Sequence, residues 1–502
     1  MDFSMLINGF LTALTPENLL FGFIGCLAGT LIGVLPGLGP TSGIAILLPL
    51  TTILPPIPAI IMLSGIYYGA MYGGSTTAIL VNIPGEVGSV ATALDGYQLA
   101  KQGKAGPALA TAAISSFVAG TLGLVGLTFF APTLANVALR FGPPEYFALM
   151  ILALSVVINL TGKSLVKGLI SALIGFLIAM VGMESVTGYS RFTFGNINLM
   201  SGIDFISVII GLFAVGEIFS NLEHIGAPVY NAKLQKLYLT AKEFLYILPT
   251  MIRSAVVGFF LGLLPGCSPG VTSFMSYDIE KRFSKHPETF GKGDLRGVAA
   301  PEGANNATTS GGFVPLLSFG IPSGPALAVL LGGFMMYGLQ PGPTLFEKNA
   351  DLVWAVIASM YIGNVILIIL NLPLVPLWAK LVKVPYGILA PMVLVFSFIG
   401  AYSVRFKLFD VGVAILFGLV GWLFKKIEIP TTPLILCLIL GTIFETSLRQ
   451  SLNMSHGSLA IFFTRPISLA LLAVAAVLLA ASLYTRIKNP EAVQDALAEE
   501  SE

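Results

Sequence analysis

Two proline-glycine breaks interrupt apolar stretches of this chain, Leu35-Pro36-Gly37-Leu38-Gly39-Pro40 and Leu264-Pro265-Gly266-Cys267-Ser268-Pro269. Neutral polar clusters follow each of them. After the first come Gly73-Gly74-Ser75-Thr76-Thr77 and Asn82-Ile83-Pro84-Gly85. After the second come Asn305-Asn306-Ala307-Thr308-Thr309-Ser310-Gly311-Gly312 and Gly320-Ile321-Pro322-Ser323-Gly324. Proline removes a backbone donor and interrupts a helix. In an apolar solvent the freed carbonyls and amides need partners, which a polar cavity supplies. A kink that serves packing alone is the alternative for one isolated break, and a matched pair favours the cavity. Helix N-termini and amide or hydroxyl hydrogens attract a carboxylate, while backbone and amide oxygens suit a hard cation. The candidate residues for an anionic ligand are therefore Gly37, Gly39, Ser75, Thr76, Thr77, Asn82, Gly266, Ser268, Asn305, Asn306, Thr308, Thr309, Ser310 and Ser323. Pro36, Pro265 and Glu302 are the candidates for ion coupling. Small residues also pack membrane helices together, which competes as an explanation for any single Ser or Thr. Amides are harder to leave unpartnered, which favours Asn82, Asn305 and Asn306. Glu302, and with less weight Glu86, Glu217 and Glu445, either line the path or stand at the water interface.

The elements that must position these residues follow from composition. Of 502 residues 55% are hydrophobic and 10% charged, and mean hydropathy is +0.89, whereas an ordinary soluble domain carries about 25% charged residues. Residues 18–85 contain no charge, and uncharged runs recur at 105–139, 254–277, 303–346, 352–379, 384–404 and 466–485. Shorter runs at 146–162, 168–183, 411–424 and 429–444 become spans when their polar flanks reach the interface. Because about 20 apolar residues cross the hydrocarbon core, the reading is an all-α integral membrane protein with about 12 to 14 transmembrane or half-spanning helices. The start, Met1 to Phe10, lacks the basic region of a cleavable signal, so the first apolar stretch is expected to stay in the mature protein.

The motifs also reveal a duplication. Gly33-Val34-Leu35-Pro36-Gly37 resembles Gly262-Leu263-Leu264-Pro265-Gly266, and Gly73-Gly74 with the first Ile-Pro resembles Gly311-Gly312 with the second. Pro144-Glu145-Tyr146 then answers Val384-Pro385-Tyr386, and the basic turn at Lys163 and Lys167 answers Arg405 and Lys407. The expected organisation is a first membrane repeat over 1–230, a second over 231–450, and a terminal transmembrane helix with a polar tail over 451–502. The basic segment 280–296 has an uncharged counterpart, which favours opposite orientations, while the matched basic turns favour the same one. The expectation is inverted repeats, since an odd number of crossings per half brings both breaks to one midplane site.

Other chemistries lack support. Gly266-Cys267-Ser268-Pro269-Gly270 fits a nucleophile elbow only in an α/β sheet, and Gly162-Lys163-Ser164 lacks the glycine that a phosphate loop needs at Val157. His224, His286 and His456 lack metal-ligand spacing. Cys26, Cys267 and Cys437 lie in apolar stretches as small hydrophobes with no disulfide expected. A net charge of +1 offers no footprint for nucleic acid. No enzyme, resident metal or cofactor is expected.

From about residue 25 to 463 the pattern resembles the large membrane subunit of the tripartite tricarboxylate transporters, TctA. The most specific parts are the glycine-rich stretch 29–40 with Leu47-Leu48-Pro49-Leu50-Thr51, and Ser276-Tyr277-Asp278, Pro301-Glu302-Gly303-Ala304-Asn305-Asn306-Ala307 and Gly320-Ile321-Pro322-Ser323-Gly324. The resemblance implies a multi-pass permease of the bacterial inner membrane. It implies partnership with a small membrane subunit and a periplasmic solute-binding protein, and import of a carboxylate such as citrate driven by a sodium or proton gradient. An anion channel is the alternative. The segment 280–296 would be a solvated loop, a contact for the small subunit, or a surface for cytoplasmic lipid.

Overall fold

The computed structural model describes residues 3–35, 38–160, 164–184, 188–221, 237–381 and 386–488. Among these residues the fold is all-α, apart from a ribbon in which Gly182–Met183 pairs antiparallel with Ser190–Arg191. Among the described residues six helices are long and apolar enough to cross a membrane, and eight shorter apolar helical stretches accompany them. The chain is an all-α, multi-pass membrane protein.

Packing divides it into two units, Met1–Ala138 with Ile206–Trp422, and Leu139–Phe205 with Leu423–Glu502. This division follows contact rather than ancestry, and the repeat boundaries remain a proposal. The smaller unit contains the helices Pro143–Leu160, Leu165–Ala179, Thr431–Met454 and Pro466–Lys488. Phe147 packs its ring 4.8 Å from Phe444 and 4.7 Å from Phe462. Glu445 is paired with Arg191 at 2.8 Å and Arg449 at 3.0 Å, and Glu145 with Arg465 at 2.9 Å. Glu445 is thus part of a half-exposed ion-pair cluster within this unit.

In the larger unit the motif-bearing helices are α1 (Pro16–Val34), α2 (Pro40–Leu47), α3 (Pro56–Val81), α4 (Val90–Lys101), α5 (Ala105–Ala138), α6 (Ala241–Gly262), α7 (Pro269–Phe283), α8 (Arg296–Phe319), α9 (Pro325–Met336) and α10 (Ala350–Asn371). Proline opens α2, α3, α7 and α9, where its missing donor costs nothing and its fixed φ suits the first turn. In lipid there is no hydrophobic drive between helices, so close backbone approach must hold them together. Gly25, Gly29 and Gly33 of α1 meet Gly65, Gly69 and Gly73 of α3. A Cβ at Gly29 would lie 2.5 Å from the Ile66 carbonyl oxygen, and one at Gly69 2.7 Å from that of Cys26. The contact between α6 and α8 is built alike: a Cβ at Gly262 would lie 2.7 Å from the Thr308 carbonyl oxygen.

Residues 58–80 of α3 and 297–318 of α8 are buried on every side, as helices without an amphipathic face must be. Both end on a left-handed residue, Asn82 with φ 58° and Gly320 with φ 73°. A broken helix, a proline-opened helix and a long buried helix thus precede each Ile-Pro cluster. Two homologous halves would leave this succession behind.

The uncharged run 254–277 is not one span. Its first part belongs to α6, which begins thirteen residues earlier at Ala241. Arg253 lies inside that helix and pairs with Glu280 at 2.6 Å, with Thr250 donating to the same carboxylate at 2.8 Å. A paired arginine does not break a helix, so counting uncharged residues placed this boundary wrongly. The short helices around residues 205–221, with a wider π turn at Ile210–Val215, were hidden for a similar reason, since Asp204 and Glu217 flank an apolar run too short to count.

Candidate functional site

Glu302, on α8, is fully buried, and three helices offer it hydroxyls. Ser75 of α3 donates at 2.7 Å, Thr92 of α4 at 2.5 Å and Ser116 of α5 at 3.1 Å. One helical turn onward, Asn305 donates its amide to Glu86 at 3.0 Å, and the Gly88 amide donates to the other Glu86 oxygen at 2.5 Å. Glu86 is buried in the turn that follows the first Ile-Pro-Gly. Both carboxylates are met by neutral donors, and among the described residues no lysine or arginine belongs to the buried polar set.

Asn306, Thr309 and Ser310 line a cavity of about 20 Å³ together with Tyr72, Gly120 and Asn364. Ser75, Thr76, Ser116 and Asn371 line a second of about 10 Å³, which Tyr72 also borders. Space of this order holds about one water molecule and is too small for a multi-carbon carboxylate. The Asn306 amide donates to the Glu302 carbonyl at 3.1 Å, and the Thr309 hydroxyl to the Asn305 carbonyl at 3.0 Å. Tyr72 donates to Asn364 at 2.5 Å, and the Asn364 amide donates to Thr121 at 2.9 Å.

The remaining sequence candidates are placed differently. Gly266 takes φ 87°, which favours glycine, and its amide donates to the Ser323 carbonyl at 2.8 Å. The second break, with Pro265 in its turn, is thereby joined to the second Ile-Pro cluster. Ser268 precedes α7, and Gly39 precedes α2 with open space where a Cβ would be. The Thr308 hydroxyl lies within 3.0 Å of the Gly258 carbonyl and 2.8 Å of the Thr272 hydroxyl, facing helix packing. Thr77 donates to Gly74 within its own helix at 3.2 Å. The turn after the first cluster reaches α7 and α8: Val87 lies against Gly270, and Gly88 against Asn305. Pro36 and Gly37, the centre of the first break, lie outside the described residues, as do Lys163, His224 and Pro385.

Asn82 stands apart from the buried residues, as an exposed left-handed cap at the end of α3. Asn82→Gly should therefore transport normally, whereas Asn82→Ala should lose about 1 kcal/mol of stability through left-handed strain, measured as thermal unfolding beside uptake. Loss of uptake in Asn82→Gly would instead give the amide a direct part.

Thr92, Ser116, Asn364 and Asn371 were not singled out from the sequence. The two asparagines sit seven residues apart in an uncharged run, hence on one helix face, and that spacing was the available signal. Thr92 and Ser116 look like ordinary small residues of a membrane helix.

The position of Thr92 is fixed three residues along α4 by Asp95, whose buried carboxylate accepts from Tyr277 at 2.8 Å and from the amides of Gly291, Gly293 and Asp294 at 2.9, 2.7 and 2.8 Å. The segment 280–296 is thus anchored toward its C-terminal end, at 291–294, while Lys281, Arg282, Lys285 and Lys292 remain exposed. Asp95→Ala should leave those donors unpartnered at about 1–3 kcal/mol each. Hydrogen exchange at Gly291, Gly293 and Asp294 is expected to accelerate at least about 100-fold; unchanged protection would show another anchor.

A family model described as the tripartite tricarboxylate transporter TctA family matches residues 19–436. An Agrobacterium vitis protein described as an uncharacterised 52.8 kDa protein in the TAR-I ttuC' 3' region is 47% identical over 487 residues, 97% of each chain. Another from that organism, an uncharacterised protein in the TAR-II ttuC' 3' region, is 41% identical over 232 residues, 46% of this chain and 96% of its own. No solved structure matches the chain.

Proposed function

Because the chain belongs to the tripartite tricarboxylate transporter TctA family, we propose that it is the large permease subunit of a binding-protein-dependent secondary transporter. It imports citrate or another di- or tricarboxylate across the bacterial inner membrane, driven by a sodium or proton gradient. A small membrane subunit and a periplasmic solute-binding protein complete the system.

The observation that carries this reading is the buried meeting of Glu302 on α8 with hydroxyls from α3, α4 and α5. Intramembrane carboxylates are costly and mark ion pathways. Ser75, Thr76, Asn306, Thr309 and Ser310 line the two small cavities, Asn305 holds Glu86, and Gly39, Gly266, Ser268 and Ser323 stand at the helix breaks and the second Ile-Pro cluster as further candidates. The cargo is held by hydroxyl and amide donors rather than by arginine. Two carboxylates without a buried basic partner would repel an anion, so the cargo enters with cations that compensate its charge. That requirement is coupling. Alternating access then opens the polar centre to either side in turn.

The test is uptake of labelled citrate by cells expressing the chain with its small subunit, with and without the binding protein, under imposed sodium or proton gradients. Uptake requiring both the binding protein and a gradient is expected. Passive flux independent of either would overturn the reading in favour of an anion channel, and absence of citrate uptake would move the search to other carboxylates.

A further inference from the structure

Glu86 and Asn305 share one unexplained feature. The asparagine amide nitrogen is anchored on Glu86 at 3.0 Å, yet its amide oxygen, fully buried, has no hydrogen-bond partner. Glu86 acts as the cap of the turn Val87–Ser89, accepting from the Gly88 amide at 2.5 Å. Capping accounts for one carboxylate oxygen. It does not account for the orphan acceptor on the asparagine whose nitrogen holds the other. Buried acceptors are nearly always satisfied, and each exception calls for a ligand or another specific cause.

The surroundings state the charge of the missing partner. Glu302 lies one turn from Asn305 on α8, and its own oxygens are occupied by Ser75, Thr92 and Ser116. It adds negative potential without offering a free coordination position. No lysine or arginine is among the buried polar residues described, so the donors shown on these two carboxylates are all neutral. An acceptor oxygen beside a carboxylate, in a field of that sign, suits a cation with oxygen ligands. No group of three His, Cys, Asp or Glu is present among the described residues, so the side-chain ligands here are one carboxylate and one amide oxygen, whose charge matches a monovalent ion.

We propose that the Glu86 carboxylate and the Asn305 amide oxygen form a sodium site, with Glu302 as the neighbouring charge that strengthens it. The proposal rests on the reading of the chain as a cation-coupled transporter, and names the ion and its ligands. Sodium occupying this site ties the turn after the first Ile-Pro-Gly to the centre of α8. Its binding is therefore sensed by both halves of the polar centre.

The experiment uses the purified full chain in detergent, without cargo or partner proteins. Thermal unfolding is followed as sodium chloride replaces choline chloride at constant ionic strength. Sodium should raise the midpoint, and the concentration for half the effect should rise at least tenfold in Glu86→Gln and Asn305→Ala. Asn305→Asp supplies a reading that a merely structural role would not give. It keeps an oxygen ligand but sets two carboxylates together, so its midpoint should fall in choline and its sodium-dependent gain should exceed that of the wild type. A wild-type midpoint indifferent to sodium, an unchanged half-effect in both other variants, or stabilisation by acid alone would overturn the site. Gradient-driven uptake in parallel proteoliposomes with no sodium effect here would defeat this site and leave the transport reading standing. Sodium stabilisation without uptake under any gradient would do the reverse.

Discussion

Uptake through a Glu302→Ala variant is expected to fall at least about 100-fold while the protein still reaches the membrane. The side chain gathers Ser75, Thr92 and Ser116 from three helices. Its removal leaves their buried hydroxyls without this acceptor, at about 1–3 kcal/mol each, and takes from the polar centre the charge that the proposed ion path uses. Glu302→Gln separates the two contributions, since glutamine keeps the volume and one acceptor but carries no charge. Uptake lost in both variants, with normal membrane content by immunoblot, identifies the charge as essential to transport. Normal uptake in Glu302→Gln would reduce the residue to a neutral hydrogen-bonding hub and remove it from the ion path.

The second large effect concerns folding rather than transport. Gly29→Leu and Gly69→Leu are each expected to abolish recovery of monodisperse protein. Overpacking a well-filled core costs about 1–3 kcal/mol when side chains can shift, but at Gly29 and Gly69 the obstructing atoms are the backbone carbonyl oxygens of Ile66 and Cys26. Backbone in the middle of a helix cannot give way without moving α1 from α3. Gly39→Ala is the contrasting variant, because a Cβ there meets nothing. Size-exclusion profiles of the three variants check the point. A monodisperse Gly29→Leu protein in normal yield would mean that the α1–α3 contact is looser than the geometry indicates.

Much of this architecture was legible in the sequence because lipid imposes one rule on every span. The runs 146–162, 168–183, 411–424 and 429–444 became the helices Pro143–Leu160, Leu165–Ala179, Leu408–Lys426 and Thr431–Met454. The rule failed at α6, where Arg253 is made tolerable by Glu280, a partner 27 residues away that no local window contains. The polar centre that forms the candidate site was legible in part for a related reason. Asn305, Asn306 and Glu302 are conspicuous in an apolar segment, so their type alone marked them. Thr92 and Ser116 are not conspicuous, and only their convergence on one carboxylate gives them meaning. Asn82 shows the opposite hazard. Its amide drew attention, whereas its backbone conformation explains its place at the end of α3.

The anchoring of residues 291–294 by Asp95 has a mechanical consequence. Asp95 and Thr92 stand one turn apart on α4, so one short rigid rod is gripped at Glu302 by one residue and at the exposed basic segment by the other. A shift of α4 that changes the grip on Glu302 must carry residues 291–294 with it or break the three amide hydrogen bonds they donate to a single carboxylate. The segment is therefore tied through α4 to a buried carboxylate, so any displacement of α4 at Glu302 would be felt at the exposed surface beside Lys292.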